Sequence, residues 1–423
     1  MQNQIVIVGG GAGGLELAAM LGRRLGPREG PRKVLLVDRA VFHLWKPSLH
    51  EVAAGSLDAR QEGLSYLMLA RRNHFRFLLG EVEALEPGAR RLRLVETRDA
   101  DGSLLIGARV VDFDRLVLAT GAGSHLFGTP GAAEHAWLLE NVADAEAFHR
   151  RLAALFLSSA YDGRRRLKVA IVGAGATGVE LSTELIEGHA ALSSALDPAE
   201  RFDLEVTIAE AGPRILGGLP DAVADKAARA LQARGVRLAV NAKVTRVRPD
   251  GLDTSLGDIP ADLIVWAAGV KAGDENTTFG LATGRLNQFL VNDRLQTSAE
   301  GVYAMGDCAE APGPDGRPVP ARAQAASQQA LYLAKALTRS GDPGPYRYRD
   351  RGSLISLGAG HGLGSLMGGL AGPNFLIEGL LARWAYISLH LAHHRIVVGS
   401  RRTVLLALSR LFQRRASGRL KLH

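Results

Sequence analysis

The chain has 423 residues, too many for one ordinary hydrophobic core, so at least two domains are expected. Apolar and charged fractions of 47% and 22% exclude a disordered or fibrous chain, and a single cysteine, Cys308, excludes a disulfide framework and any chemistry needing a dithiol. The formal charge of +8 suggests nucleic acid until it is located: residues 371–423 carry nine Lys or Arg against one acid, Glu378, so the rest of the chain is neutral and nucleic-acid binding is not expected.

In chain order, the apolar run Gln4 to Val8 reads as a strand, and Leu15, Leu17, Ala18 and Leu21 follow at helical spacing. No basic leader precedes the strand and no run of about 18 apolar residues occurs, so neither a signal peptide nor a transmembrane helix is expected. Between strand and helix lies Gly9-x-Gly11-x-x-Gly14. The first glycine permits a tight turn, the second lets backbone approach a pyrophosphate, and the third lets helix pack on strand. The free N–H groups of the helix then face the anion. Lys33 to Val37 is the next buried strand, closed by Asp38, an acid placed to bond a ribose hydroxyl. The wide separation of Asp38 from Gly14 predicts a loop over Gly26–Arg32.

Arg115 to Thr120 is a strand ending in a small-residue turn at Gly121. The arrangement then repeats. Leu167–Val172 leads to Gly173-x-Gly175-x-x-Gly178 and a helix, with Gly188–Arg201 reading as an insertion on it. Leu204–Ala209 ends at Glu210, and Leu263–Ala268 ends at Gly269. An acid at Glu210 would repel a 2′-phosphate and so favours NADH over NADPH, with Arg214 close enough to soften the preference. After Thr297, Gly301 to Asp307 is another strand running into a glycine–acid turn, followed by a helical run from Ala321 to Leu337. A glycine-rich stretch spans Gly358 to Gly372, and a C-terminal appendage starts at about Phe375. Within it Val404, Leu405, Leu408, Leu411 and Phe412 recur at i, i+3 and i+4, flanked by Arg410, Arg414 and Arg415. That pattern suits a basic helix lying in a bilayer interface, with Trp384 and Tyr386 at headgroup depth. Burial of the same stripe on the protein's own core, or in a homodimer, is the alternative.

Together these motifs resemble the two-dinucleotide-binding-domain flavoproteins, in which an acid such as Asp307 bonds the ribityl chain of FAD. The resemblance narrows to the type II NADH dehydrogenases at three segments: His43-Leu44-Trp45-Lys46-Pro47-Ser48-Leu49-His50 through Gly55, Ala323-Gln324-Ala325-Ala326-Ser327-Gln328, and Ile377-Glu378-Gly379 through Leu389. It covers essentially the whole chain, with Gln329 extending the glutamine pair to three.

The resemblance implies an α/β fold of two Rossmann-like domains plus a C-terminal amphipathic helical segment for membrane attachment. Its implied boundaries are 1–120 and 297–374 for FAD, 121–296 for NADH, and 375–423 for the anchor. The implied activity is hydride transfer from NADH to FAD, then two electrons to a membrane quinone, with no metal and no ion pumping. The enzyme would sit on the cytoplasmic face of a cell membrane. FAD falls to Gly9, Gly11, Gly14, Asp38, Arg39, Lys46, Thr120, Gly121, Gly306 and Asp307; NADH falls to Gly173, Gly175, Gly178, Glu180, Glu210 and Gly269. Quinone falls to Ala323, Gln324 and Gln328, whose amides can meet carbonyl oxygens without a buried charge. Glu180, Lys46, Gln324 and Gln328 are the expected catalytic set. On the residues alone, Glu180 equally suits a helix-dipole partner, Lys46 a solvated loop, and the two glutamines an exposed helix face. His43, His50 and Glu180 are candidate proton donors, with water the alternative, and Cys308 is expected to be a small buried side chain. Sulfide:quinone oxidoreductase, the nearest alternative, requires paired cysteines. A reductase for another acceptor and an NADH-sensing flavoprotein are the remaining readings.

Overall fold

A computed structural model describes residues 4–99, 101–163, 165–314, 316–339, 341–358, 362–366 and 375–416. Part of the glycine-rich stretch up to Gly372, together with Arg419 and Lys421, lies outside the described residues, as do the side chains of Trp384, Arg410, Leu411, Phe412, Arg414 and Arg415. The first unit comprises β1 (Ile5–Val8), α1 (Ala12–Lys33), β2 (Val34–Asp38), α2 (Leu49–Ala53), α3 (Tyr66–Asn73), β3 (Arg76–Leu79) and β4 (Arg115–Leu118). The second comprises β5 (Trp137–Leu138), β6 (Arg166–Val172), α4 (Ala176–Ala195), β7 (Asp203–Ala209), β8 (Arg237–Ala239) and β9 (Leu263–Trp266). The chain then supplies β10 (Val302–Ala304), α5 (Ala323–Ala336), an antiparallel sheet of β11 (Ser353–Ser356), β12 (Gly362–Leu366) and β13 (Phe375–Glu378), and two last helices, α6 (Gly379–Val398) and α7 (Ser400–Ala416).

The two units share one design. The first sheet runs β10-β4-β1-β2-β3 and the second β5-β9-β6-β7-β8, both entirely parallel. Parallel strands are covered on both faces, which is why β1 is an unbroken aliphatic run and β4 and β9 carry the buried stretches Leu116–Leu118 and Leu263–Trp266. Each glycine turn follows the strand from which the chain goes first to one side of the sheet (β2, β7) and later to the other (β4, β9), the switch point where such sheets leave a crevice. The short strands Gly123–Ser124 and Val270–Lys271 pair antiparallel where the chain leaves one unit and returns to the other. Beyond that crossing, Ala272, Phe279, Leu281 and Phe289 share a core with Val6, Val37 and Leu118 of the first sheet.

Two local readings change. The expected loop Gly26–Arg32 is helical: α1 kinks at Gly26, which has φ 78, and resumes with Pro27. Proline is tolerated in the opening turn of a helix because its missing N–H has no partner there anyway. The C-terminal segment is also less of an appendage than expected. Val397 and Val398 of α6 are buried in one core with Ile7, Leu15 and Leu17, and Asn73 Nδ2 donates to the Val397 carbonyl at 2.9 Å. Leu406 of α7 packs on the same core, while Val404, Leu405 and Leu408 are 58%, 64% and 47% exposed.

Candidate functional site

Both glycine turns form the same cradle. Gly9 and Gly173 each adopt φ 100, and a Cβ there would strike Ala119 or Ala268 across the sheet. A Cβ at Gly14 or Gly178 would run into the carbonyl of its own turn's first glycine. At Gly11 and Gly175 a Cβ would meet nothing within 4 Å, so the space above each helix N-terminus is open. That is the shape a pyrophosphate requires, and the residues fit two dinucleotides. The acids close the cradles in parallel fashion. Asp38 accepts from Gly10 N–H at 2.5 Å and Ala40 N–H at 2.7 Å; Glu210 accepts from Ala174 N–H at 2.8 Å and Gly212 N–H at 2.7 Å. Each carboxylate thus braces its phosphate turn and keeps lone pairs for a ribose hydroxyl. Arg39 points away toward Glu81, at 3.6 Å, and Arg214 pairs with Asp221 at 3.2 Å.

A second group of expected residues gathers at the carboxyl ends of β4 and β10. Thr120 and Gly121 (φ 78) follow β4; Gly306 (φ 72) and Asp307 follow β10. Lys46 Nζ donates to the Ala122 carbonyl at 2.6 Å. Burial pushes the Asp307 carboxyl up and the nearby Lys46 ammonium partly offsets it. Lys46 therefore belongs to this end of the cradle and is not a free loop lysine. Cys308 is fully buried, with Sγ 3.2 Å from the Met305 carbonyl, and its thiol is pushed up by burial, so it behaves as the small packing residue expected. Gly269 of the second unit also takes positive φ, with the Phe127 ring where a Cβ would lie.

Glu180 joins the two units. It sits early in α4, almost fully buried, and accepts from Ser356 N–H at 2.9 Å, while its other oxygen lies 3.6 Å from His50 Nδ1 of α2. Desolvation raises its carboxyl to about 7 against the attraction of His50, and the neighbouring Glu51 and Glu184 add to the rise. His50 Nε2 is buried without a hydrogen-bond partner among the described residues. Tyr386 of α6 also belongs here: burial, then Glu180, Glu51 and Glu184, push its phenol up. It lies within electrostatic reach of this acidic cluster.

The glutamines divide their work differently from the expectation. Gln324 Nε2 donates to Asp350 Oδ1 at 3.2 Å and to the Gly352 carbonyl at 2.9 Å, and its oxygen accepts from Arg351 N–H at 3.1 Å. Gln328 both donates to and accepts from the Arg349 backbone, at 2.9 and 3.0 Å. Side by side on α5, the two amides pin residues 349–352 as a neighbouring strand would, and Ala323 opens the same helix. Gln329, the apparent departure, is fully buried and accepts from Gly306 N–H at 2.7 Å, bracing the turn before Asp307. Sequence reasoning missed Glu16 and His393, and it gave Gln329 and Tyr386 no place in the site. Only Glu16 carried a signal, a carboxylate inside the apolar run Gly13 to Ala19, which is buried throughout.

Comparisons with known proteins match this architecture. The family model described as pyridine nucleotide-disulphide oxidoreductase matches residues 3–330. The type II NADH:quinone oxidoreductase of Haemophilus influenzae is 38% identical, with 99% of each chain covered. That of Staphylococcus saprophyticus is 28% identical over 87% of this chain and 90% of its own. Among solved structures, NDH2 from Plasmodium falciparum in complex with NADH superposes at a TM-score of 0.82 over 100% of both chains, at 16% identity. The sulfide:quinone oxidoreductase of Aquifex aeolicus reaches 0.73 at 18% identity, covering 94% of this chain and 92% of its own. At such identities the structural matches speak for the fold.

Proposed function

The chain belongs to the pyridine nucleotide-disulphide oxidoreductase family and, within it, to the type II NADH:quinone oxidoreductases, and on that premise we propose that it oxidises NADH with FAD as its carrier and reduces a quinone. The observation that carries this reading is the Glu180–His50 contact, which sets the helix of the second cradle against the segment leading from the Lys46 loop of the first. Bound FAD supplies a ring that takes up two electrons and hands them on. The protein's own part is positional and electrostatic. Gly11 and Gly175 leave room for the pyrophosphates, and Asp38 and Glu210 orient the riboses. Thr120, Gly121, Gly306 and Asp307 form the ribityl and ring end, where the Lys46 cation favours an electron-rich ring. Glu180, balanced near neutrality, holds or releases a proton where the two units meet. We assign quinone to the α5 face begun by Ala323, with Gln324 and Gln328 fixing the bordering 349–352 segment. The single, buried Cys308 leaves the paired-cysteine chemistry of the sulfide enzymes without its residues.

The same proposal places the protein peripherally on a membrane. No helix among the described residues is long and apolar enough to cross one. The outward Val404, Leu405 and Leu408, with the exposed Arg401 and Arg402, support attachment through α7. Each arginine near an anionic leaflet contributes about 1 kcal/mol, which favours the cytoplasmic face. Association of two copies through this region is compatible with the exposed stripe. The test is anaerobic stopped-flow absorbance of the purified protein, mixed with NADH and then with a soluble quinone. Rapid loss of visible flavin absorbance, recovered only after quinone, is expected. Loss without recovery would remove quinone as the acceptor.

A further inference from the structure

Away from the Glu180 pair lies a second buried carboxyl–histidine system that the function proposed above leaves unused. It draws one residue from each of four segments. Ser327 of α5 donates from Oγ to Glu16 Oε2 of α1 at 2.6 Å. Glu16 Oε1 lies 2.8 Å from His393 Nδ1 of α6, and His393 Nε2 lies 3.1 Å from His43 Nε2. His43 Nδ1 ends the chain 2.9 Å from the Gly10 carbonyl, within the first phosphate turn. Glu16, His393 and His43 are 1%, 2% and 3% exposed, and the Trp45 ring covers His393 at 4.6 Å.

Hydrogen-bond accounting fixes the proton content of this chain. A carbonyl only accepts, so His43 Nδ1 carries a hydrogen. With His43 neutral, its Nε2 is a lone pair and must receive a hydrogen from His393 Nε2. His393 Nδ1 is then a lone pair, and Glu16 must donate to it as a carboxylic acid. An ionised Glu16 beside two neutral imidazoles would leave one contact without a hydrogen, a costly arrangement this deep in the protein. The alternative with the same proton count moves a hydrogen across each bond: Glu16 becomes carboxylate, His393 switches tautomer, and His43 becomes imidazolium. No ring has to turn. A single proton can therefore pass between the two ends of the chain.

We propose that Ser327, Glu16, His393 and His43 form a proton wire, open at Ser327 and closed at His43, that stores and supplies the proton quinone reduction requires beyond the hydride. The proposal rests on the quinone reading. NADH gives two electrons and one proton as hydride, whereas a quinone takes two electrons and two protons, so each turnover draws one further proton. Ser327, the half-buried end of the wire, lies on α5 between Gln324 and Gln328, on the helix assigned to quinone. The Ser327 hydroxyl, turned from Glu16 toward a quinone oxygen, passes the Glu16 proton to that oxygen. The carboxylate left behind is reprotonated from solvent through the same half-buried hydroxyl, and His393 and His43 share the proton with Glu16 between turnovers. The surrounding titratable groups are Tyr66 on α3, whose hydroxyl donates to the same Gly10 carbonyl, and His390 and His394 on α6. Burial drives Glu16 up to about 7 and His393 down to about 3, while His43, also buried, falls well below its ordinary value. The proton thus rests on Glu16 and is available near neutral pH.

The test is the substitution E16Q in the full-length FAD-bound protein. Its amide can donate to His393 Nδ1 and accept from Ser327, reproducing the neutral acid's hydrogen bonds without a transferable proton. Flavin reduction by NADH is expected to match wild type. Quinone-driven reoxidation is expected to slow by at least about 10-fold and to lose its pH dependence near neutrality. The infrared carbonyl stretch of one protonated carboxylic acid should vanish from the resting protein, and E16D should restore both the band and part of the rate. Reoxidation of E16Q at the wild-type rate, with an unchanged pH profile, would overturn the wire. A wild-type protein that quinone fails to reoxidise would instead overturn the quinone reading and this proposal with it, and the wild-type trace alone tells the two failures apart. If E16Q does not retain FAD, S327V answers the same question: it fills the outlet with methyl groups in place of the hydroxyl that reaches Glu16, and wild-type reoxidation in it would again overturn the wire.

Discussion

Replacing Glu180 with glutamine should stabilise the protein at alkaline pH and do progressively less as pH falls. In the fold this carboxyl ionises at about 7 against an ordinary 4.5, because burial penalises the charge more than His50 and Ser356 N–H relieve it. Between those values the folded state binds more protons than the unfolded one, so stability declines as pH rises through the window. At about 1.36 kcal/mol per pH unit, the displacement costs on the order of 3 kcal/mol once the group is ionised. Glutamine keeps an oxygen for Ser356 N–H and never ionises. For a chain of 423 residues, at an unfolding entropy of about 2.1 cal/mol/K per residue, the gain is a rise in Tm of about 3–4 °C at about pH 9. It should shrink to under about 1 kcal/mol at about pH 5. Scanning calorimetry of both proteins at the two pH values measures the difference. Any pH-independent effect of the substitution cancels between them, and so does the parallel contribution of Glu16. A Tm offset that is the same at both pH values would refute the reasoning, since it would mean Glu180 carries no excess ionisation cost in the fold.

Two further outcomes follow from the site and the C-terminal helix. Glu210→Ala should narrow the preference for NADH over NADPH in kcat/KM and also loosen nucleotide binding, because Ala174 N–H and Gly212 N–H lose their acceptor; an unchanged ratio would show that Glu210 braces its turn without reading the ribose. The double substitution L405D/L408D should lower co-sedimentation with anionic vesicles by at least about 100-fold while FAD stays bound, since each leucine contributes roughly 2 kcal/mol when buried in lipid; undiminished binding would move attachment away from α7. Point changes suit this question better than truncation after Phe375, which would strip His393, Val397 and Val398 from the first core.

What the sequence reveals about this protein depends on whether backbone or side chain carries the requirement. Gly9, Gly14, Gly173 and Gly178 stand where a Cβ would meet main chain, so no other residue fits and their spacing declares the two cradles. Asp38 and Glu210 are legible for a related reason, because an acid at the end of the second strand reaches the glycine turn beside it. Gln324, Gln328 and Gln329 are not separable in this way. All three are amides on one helix, and only tertiary packing decides that two grip residues 349–352 while the third braces Gly306. The kinked end of α1 was hidden because Gly26, Pro27 and Pro31 give a loop's composition to a helical restart.

The C-terminal helices show how one segment serves both core and surface. The basic amphipathic pattern of α7 was legible as a surface feature, and its outward leucines agree with that. Nothing in the periodicity of α6 declared that its inner face would join the first nucleotide domain. Tyr386 and His393 stand seven residues apart, two helical turns, and so fall on one side of α6. One meets Glu180 and the other Glu16, the two buried carboxyls raised to about 7. The helix leading to the exposed α7 stripe therefore lies against both buried carboxyls, and a displacement of α6 would expose them to water and return them toward their ordinary ionisation. Under the proposed attachment through α7, a shift of α6 at the bilayer would reach both carboxyls at once.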